Sequence, residues 1–354
     1  MHMADALLSP SVSVVMSLAS VGAIAYSVAR VRNDDNAGLA YGAGPDGDNK
    51  IPVMGVMGAF VFAAQMINFT IPATGSSGHI GGGILLAAIL GPYAALLTLA
   101  AVLIIQCLFF ADGGLMALGC NTFNMGVFAC FVAYPLIFNR IVKRTSGTKV
   151  IALASVVSVV VGLELGAFGV VAETLASGVT ELPFAAFVTL MLPIHLAIGV
   201  VEGLITAAAL CFVRQMRPEL LEFGSAGSIS GEGSLSFKKT LLALLTLAAV
   251  VGGGLSLHAS AYPDGLEWSV EKIAGTAEIE RSGGVYDASA GMREATAIMP
   301  DYDFKSSDGG EREDLVPGTS VAGIVGGVMT LLLACVIGAA ISASKRLWSG
   351  NAKA

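Results

Sequence analysis

The chain has 354 residues, of which 55% are hydrophobic and only 13% are charged, and its mean hydropathy is +0.78. Runs of twenty or more residues with almost no charge are too numerous to be hidden inside a soluble protein of this size. The net charge of -7 also argues against a nucleic-acid-binding protein. The composition therefore predicts an all-α polytopic membrane protein.

Nine apolar stretches follow one another along the chain and are predicted to be membrane-spanning helices. The third stretch is too short to cross alone, because it would reach only about 18 Å. It is expected to be a short helix whose ends are covered by neighbouring protein. The stretches are 9–29, 51–71, 80–91, 93–111, 121–139, 150–176, 184–213, 240–258 and 319–343.

The positions of the basic residues predict the orientation in the cell membrane. Nine crossings place 14 of the 19 Lys and Arg residues in cytoplasmic segments, with the N-terminus outside and the C-terminus inside. If residues 80–91 did not cross, Arg140 and Lys149 would face outward while Arg30 and Arg32 faced inward. The nine-span arrangement is therefore preferred.

Two polar segments divide the chain. Residues 218–238 predict a flexible cytoplasmic linker between a seven-span block at 1–217 and a two-span block at 239–345. The loop at 259–318, within the second block, carries 13 acidic and 5 basic residues and is expected outside. It is interpreted either as a solvated, partly disordered segment or as an acidic surface that raises the local cation concentration.

The first two residues can form a metal chelate. The α-amine of Met1, the backbone amide nitrogen of His2 and the His2 ring nitrogen can close two fused chelate rings in one plane, provided that Met1 is retained. Such a site suits Ni(II) or Cu(II), can accept Co(II), and suits Zn(II) or Mg(II) poorly. His79 lies in a small-residue loop that the topology places beside the N-terminus, and it is the candidate for a fourth nitrogen. Taken alone, His2 is better explained as a terminal histidine that binds nothing, and His79 is equally compatible with an exposed loop histidine.

Other polar residues lie within or near the ends of the predicted spans. Four of them could form an outer shell around a metal site: Gln65, Asn68, Asn121 and Asn124. Three ionisable residues lie inside predicted spans, namely Glu164, His195 and Glu202. They could connect helices, form an outer shell around the metal site or carry protons, and the sequence does not decide between these roles.

Three small residues spaced by four form a ridge on the second span. They are Gly55, Ala59 and Ala63. Such a ridge permits close helix approach. It is interpreted either as packing within this chain or as a docking surface for a partner subunit.

Residues 1–217 contain a set of ordered motifs: Met1-His2 followed by Asp5, Leu8-Ser9-Pro10, the segment 60–69, Ser77-Gly78-His79, Asp112-Gly113-Gly114 and the segment 121–126. Together these motifs resemble the CbiM/NikM family, the substrate-capture (S) components of energy-coupling factor cobalt and nickel importers. In addition, Pro263-Asp264-Gly265-Leu266-Glu267 resembles the PDGLE motif of the auxiliary CbiN/NikN-like component, here fused to the same chain.

The resemblance implies a fold, a site and partners. The fold would be a seven-span core with an extra N-terminal helix, followed by two transmembrane helices that flank the extracytoplasmic loop. The ligands of the ion would be Met1, His2 and His79. Family members work with a transmembrane coupling (T) subunit and two cytoplasmic ATPases. Ala6 stands where the family often has Gly, which leaves the shape of the N-terminal turn open.

The expected function is capture of Ni(II) or Co(II) by a non-catalytic subunit of an importer. The sequence contains no GxxxxGK[ST] phosphate loop, so ATP hydrolysis would belong to partner chains. The alternative is an autonomous, gradient-driven cation permease. An intramembrane metalloenzyme is disfavoured because there is no HExxH motif. No organic cofactor is expected, and the ligand types do not separate nickel from cobalt.

Overall fold

Helices dominate the computed structural model, which describes residues 1–33, 50–143, 147–223, 236–277, 279–304 and 318–351. In a bilayer every backbone polar group needs a partner within the protein, and a helix supplies these partners locally. The helices are α1 (Pro10–Asn33), α2 (Lys50–Gln65), α3 (Gly83–Leu90), α4 (Pro92–Phe109), α5 (Leu118–Val142), α6 (Thr148–Ser177), α7 (Phe184–Met216), α8 (Phe237–Gly253), α9 (Gly265–Ala274), α10 (Val285–Thr296) and α11 (Gly318–Asn351).

Seven of the described helical segments are long and apolar enough to cross a membrane, namely α1, α4, α5, α6, α7, α8 with the turn that follows it, and α11. The exposed side of α1 carries Val14, Val15 and Leu18, as expected for a helix that faces lipid. The chain is thus an all-α polytopic membrane protein.

The two remaining predicted spans, α2 and α3, are shorter. α2 has 16 residues and α3 has 8, so α3 reaches only about 12 Å. Every residue of α3 is buried, against α2, α4, α5 and α7. This surrounding protein shields the ends of α3, as the sequence predicted for a segment of that length.

The second predicted span ends earlier than expected, because the chain turns into a hairpin. Strand β1 (Phe69–Ile71) pairs antiparallel with β2 (Ser76–Gly78), with Phe69 opposite Gly78. Gly75, at the turn, has a φ of 75°, in the left-handed region that glycine adopts readily. The hairpin delivers residues 79–82 to the same end of the bundle as the N-terminus.

The two long C-terminal helices pack against the side of the first block. Both α8 and α11 contact α2. A Cβ atom on Gly55 would lie 2.5 Å from the Cys335 sulfur, Ala63 borders Gly252, and Ala59 borders Gly327. The ridge considered for a partner subunit is therefore occupied by helices of this chain, which agrees with the packing interpretation of these three residues.

The polar loop at 259–318 is largely exposed in its described residues, as expected for a solvated segment, but it also forms the helices α9 and α10. Asp264 caps the start of α9, and its side chain accepts hydrogen bonds from the backbone N–H groups of Leu266 and Glu267. The α10 helix then packs on the N-terminal segment, where the Tyr286 hydroxyl donates to the Leu8 carbonyl at 2.8 Å. Residues 305–317 lie outside the described part.

The beginning of the predicted linker also packs on the bundle. Leu220 and Leu221 are fully buried, and the Glu222 backbone N–H donates to the Ala88 carbonyl at 2.9 Å. The Glu222 carboxylate also lies 2.9 Å from the Lys50 amine. Residues 224–235, which make up most of the predicted linker, lie outside the described residues.

Candidate metal centre

The N-terminal segment is buried in the end of the bundle that carries the hairpin. Met1 is 6% exposed and Met3 is fully buried. Asn121 of α5 holds the segment with two hydrogen bonds, accepting from the Met3 N–H at 2.8 Å and donating to the Met3 carbonyl at 3.3 Å. The Gly114 N–H donates to the same carbonyl at 2.9 Å. These backbone contacts fix the path of the first three residues.

Glycine at position 114 makes this close approach possible. A Cβ atom there would overlap the Asp5 carboxylate and would come within 2.5 Å of the Asp5 backbone nitrogen. Asp5 is itself buried, accepting from the Ala117 N–H at 3.1 Å and from the Ser289 hydroxyl of α10. The Asp112-Gly113-Gly114 motif thus lies directly against the N-terminal segment.

His79 faces the amine of Met1. Its Nε2 atom lies 3.1 Å from the Met1 nitrogen, and its Nδ1 atom lies 3.0 Å from the Ile80 carbonyl oxygen. Because a carbonyl oxygen can only accept, this contact assigns the proton to Nδ1 and leaves a lone pair on Nε2. Metal-binding imidazoles are commonly oriented in this way by a backbone carbonyl.

His2 completes a stacked pair of imidazoles. The ring centroids of His2 and His79 are 5.2 Å apart, and the ring planes differ by 12°. His2 Nδ1 lies 3.2 Å from the Asp112 carboxylate, while its Nε2 is buried and has no hydrogen-bond partner among the described residues. The Tyr302 hydroxyl donates to the other oxygen of that carboxylate.

Both imidazoles are held in the neutral form that binds metal ions. Burial lowers the pKa of His79 to about 3, helped by the positive charge of the Met1 amine. Burial likewise lowers the pKa of His2. At neutral pH the site therefore presents two neutral rings beside an amine.

Asp264 of the PDGLE motif, in the C-terminal block, lies next to the Met1 amine. Its carboxylate lies 2.6 Å from the Met1 nitrogen and forms an ion pair with it. Burial alone would raise the pKa of Asp264, but the positive charge of the amine, together with the hydrogen bonds that the carboxylate accepts from the amine and from the Glu267 N–H, outweighs this effect, and the net pKa lies below the usual range. The motif is anchored beside the site because the Ser77 N–H donates to the Pro263 carbonyl at 2.8 Å.

The four outer-shell candidates have different surroundings. Asn121 contacts the N-terminal segment directly, and Gln65 donates to the Gly81 carbonyl at 2.9 Å, which holds the loop that follows His79. Asn124 donates to Glu173 at 2.8 Å and lies 4.0 Å from the Met3 sulfur. Asn68 contacts the C-terminal block through its backbone, since its carbonyl accepts from the Ser260 N–H.

Sequence reasoning did not assign Asp112 or Asp264 to the site. Both stood in motifs that were recognised, but nothing in the sequence marked them as neighbours of the first two residues. Their contacts with His2 and Met1 depend on how two distant loops pack onto the same end of the bundle. The charge and spacing of these residues carry no signal of that packing.

The arrangement brings together the nitrogen donors that a small divalent transition-metal ion would need. One buried region contains the Met1 amine, the His2 ring and the Nε2 lone pair of His79. The backbone amide of His2 lies between the first two of these groups along the chain. Nitrogen donors of this kind favour Ni(II), Cu(II) or Co(II) over oxygen-preferring ions. Carboxylates of Asp112 and Asp264 contact two of these donors.

Comparisons with known proteins find relatives that are named as nickel or cobalt transport proteins. A family model described as the cobalt uptake substrate-specific transmembrane region (CbiM) matches residues 2–220, and the PDGLE domain model matches residues 238–343. A putative fused nickel transport protein NikMN of Archaeoglobus fulgidus is 31% identical over 342 residues, which cover 94% of this chain and 96% of the relative. A cobalt transport protein CbiM of Sorangium cellulosum is 33% identical over 180 residues, 48% of this chain and 76% of the relative.

The fold has a counterpart among solved structures. The crystal structure of a truncated transition metal transporter is similar, with a TM-score of 0.50 and 30% sequence identity, covering 60% of this chain and 98% of that chain. The family match covers more than half of the chain, and the fused nickel transport relative aligns over nearly its whole length. The chain therefore belongs to the CbiM family of nickel and cobalt transport proteins and carries a PDGLE domain after its CbiM region.

Proposed function

We propose that this protein is the substrate-capture component of an energy-coupling factor importer for Ni(II) or Co(II). The observation that carries the proposal is that the Met1 amine is buried and lies 3.1 Å from Nε2 of His79. The proposal requires that the chain begin at Met1, since a preceding residue would convert the amine into an amide.

The proposed ligands are four nitrogens in one plane. The Met1 amine and the His2 amide close a five-membered ring on the ion, and the His2 amide and His2 Nδ1 close a six-membered ring. Only Nδ1 can close the second ring, because Nε2 is on the far side of the imidazole. His79 Nε2 is the fourth ligand, and the hydrogen bond from its Nδ1 to Ile80 supports this role.

Capture of the ion must replace three contacts that the structure contains. His2 Nδ1 must leave the Asp112 carboxylate, with its proton moving to Nε2. The Met1 amine must lose a proton, its ion pair with Asp264 and its hydrogen bond to His79 Nε2. The amide nitrogen of His2 also gives up a proton. Binding therefore releases protons and is expected to weaken as the pH falls, because protons and the metal ion compete for the same nitrogens.

The proposed setting is the cell membrane, with the site on the extracytoplasmic side. The distribution of Lys and Arg supports this orientation, with the N-terminus outside and the C-terminus in the cytoplasm. Because the sequence has no phosphate-binding loop, energy for delivery would come from two cytoplasmic ATPase subunits acting through a transmembrane coupling (T) subunit.

Uptake of radioactive nickel or cobalt by a bacterial strain without its own importers tests this function. Cells that make this chain with the coupling subunit and both ATPases are expected to accumulate one of the two metals, whereas cells lacking the ATPases are not. In the matched control, cells make the same subunits with inactivating substitutions in both ATPases, and no accumulation is expected. Full uptake without working ATPases would contradict the proposal and support the gradient-driven permease.

A further inference from the structure

A small cavity lies beside the amine of Met1, between the N-terminal segment and the middle of the bundle. Its polar lining comes from Met1, His79, Asp264 and His195, the last of which is on α7. Its other walls are mainly apolar residues and glycines, including Met125. His195 is the one lining residue among these four that the proposed capture site does not use.

A second cavity adjoins the first. The two share three lining residues, Gly81, Met125 and Leu163, and the second is also lined by Glu202 of α7. His195 and Glu202 are seven residues apart, or about 10 Å along the helix, and lie on one face of it. One helix face thus places an imidazole at the first cavity and a carboxylate at the second.

His195 has one ring nitrogen occupied and one unused. It is 1% exposed, and its Nδ1 lies 2.7 Å from the Met191 carbonyl oxygen. That oxygen can only accept, so Nδ1 carries the proton and the neutral ring has a lone pair on Nε2. Nε2 is buried and has no hydrogen-bond partner among the described residues. His79 is oriented by a backbone carbonyl in the same way.

Only one of the two carboxylate oxygens of Glu202 has a hydrogen-bond partner among the described residues. Glu202 is 3% exposed, and its Oε1 accepts from the Gly82 N–H at 2.9 Å, while Oε2 is buried and has no hydrogen-bond partner in the described part of the chain. A purely structural role accounts for Oε1, which holds the loop after His79. It does not account for a second buried oxygen without a partner, because burying an unpaired polar atom costs free energy.

We propose that His195 Nε2 and the Glu202 carboxylate are successive transient ligands for the divalent ion as it passes between the capture site and the interior of the bundle. The inference rests on the proposed function, because it needs an ion at Met1 and His79. Imidazole nitrogen and carboxylate oxygen are both ligands that Ni(II) and Co(II) accept. Neither side chain is needed to hold the ion at equilibrium, since the capture site already supplies four nitrogens.

Two conservative substitutions separate transit from structure. His195→Asn keeps a side-chain N–H near the Met191 carbonyl but removes the Nε2 ligand. Glu202→Gln keeps an acceptor for the Gly82 N–H but replaces the free oxygen by an amide. Ile198→Val is the matched control, because Ile198 lines the first cavity from the same helix and has no ligand atom.

The experiment measures nickel and cobalt binding to the purified full chain with a native N-terminus, its thermal midpoint, and uptake in cells that also make the partner subunits. His195→Asn and Glu202→Gln are expected to bind one ion per chain with an affinity within about threefold of the native protein. Their uptake should fall at least tenfold, while Ile198→Val stays within about twofold. If the Asn variant does not accumulate, His195→Phe, with a ring of similar size, replaces it.

Native-like uptake by both variants would overturn the transit role and leave the proposed function intact. Loss of stoichiometric binding, or a clearly lower thermal midpoint, would also overturn it, since the residues would then belong to the capture site or the packing. A native chain that binds no nickel or cobalt would instead contradict the proposed function itself.

Discussion

The nitrogen of Met1 lies 3.1 Å from Nε2 of His79, although 78 residues separate them in the chain. The contact depends on two pieces of local structure: a hairpin that carries His79 to the end of the bundle, and an N-terminal segment held against Asn121 and Gly114. Because Nδ1 of His79 is committed to a backbone carbonyl, only Nε2 remains to bind an ion beside the amine.

His2→Ala and His79→Ala are each expected to abolish stoichiometric Ni(II) or Co(II) binding, because each removes one of the nitrogen ligands of the proposed site. Calorimetry and elemental analysis of purified protein measure the effect. His258→Ala is the control, since His258 is exposed in the turn after α8 and has no place in the proposed site. Normal binding by the His79 variant would show that the fourth ligand lies elsewhere.

Gly114→Ala is expected to weaken metal binding at least tenfold while the spans stay folded. The added methyl group would overlap the Asp5 carboxylate and push the N-terminal segment away from Asn121. Affinity by calorimetry and helix content by circular dichroism distinguish the two effects. The matched control is Gly147→Ala, where a Cβ atom meets nothing within 4 Å. Equal affinities of the two variants would mean that this contact does not position the ligands.

Asn121→Ala should lower metal affinity by about tenfold to a hundredfold, a range typical for residues that orient metal ligands. It removes both side-chain hydrogen bonds to Met3, so the first residues become freer before the ion binds. The loss should appear in the binding constant rather than in the number of ions bound. Ser11→Ala, on an exposed part of α1, provides a surface control. An unchanged affinity would assign the positioning of Met3 to Gly114 alone.

Asp264→Asn and Asp264→Ala separate two roles of one side chain. The Asn variant keeps an acceptor for the cap of α9 but loses the charge that stabilises the protonated amine. It is expected to load metal faster than the native protein and to bind it at least as tightly. The Ala variant also loses the cap, worth about 0.5–2 kcal/mol, and should melt at a lower temperature.

Stopped-flow loading with Ni(II) and thermal melts of both variants check these outcomes. Weaker binding by the Asn variant would indicate instead that the carboxylate contacts the ion.

Apolar patterning predicted every long helix, because helices in a bilayer must satisfy their own backbone and therefore need long uncharged segments. The bounds were less predictable. The second span was expected to continue to residue 71 but ends at Gln65, since residues 69–78 pair as a hairpin that remains apolar at Phe69 and Ile71. Hydrophobicity alone does not separate such a hairpin from the end of a helix.

The proximity of Met1, His2 and His79 was predictable from ligand chemistry, topology and family resemblance together. The role of the acidic loop was not. Its composition suggested a solvated segment, and most of its described residues are exposed. In addition, however, α10 packs on the N-terminal residues, for example through Tyr286 and Leu8, and Asp264 at the start of α9 pairs with the Met1 amine. Such contacts join residues nearly 300 positions apart, and a single sequence contains no periodic signal for them.

In the proposed site the free amine of Met1 is a metal ligand. The most direct test compares Ni(II) and Co(II) binding by protein with a native N-terminus and by protein extended by a few residues before Met1, with the same residues added at the C-terminus as the control. The native and C-terminally extended proteins are expected to bind one ion tightly, and the N-terminally extended protein is expected to bind none. Normal binding by the N-terminally extended protein, with its fold intact, would show that the amine is not a ligand.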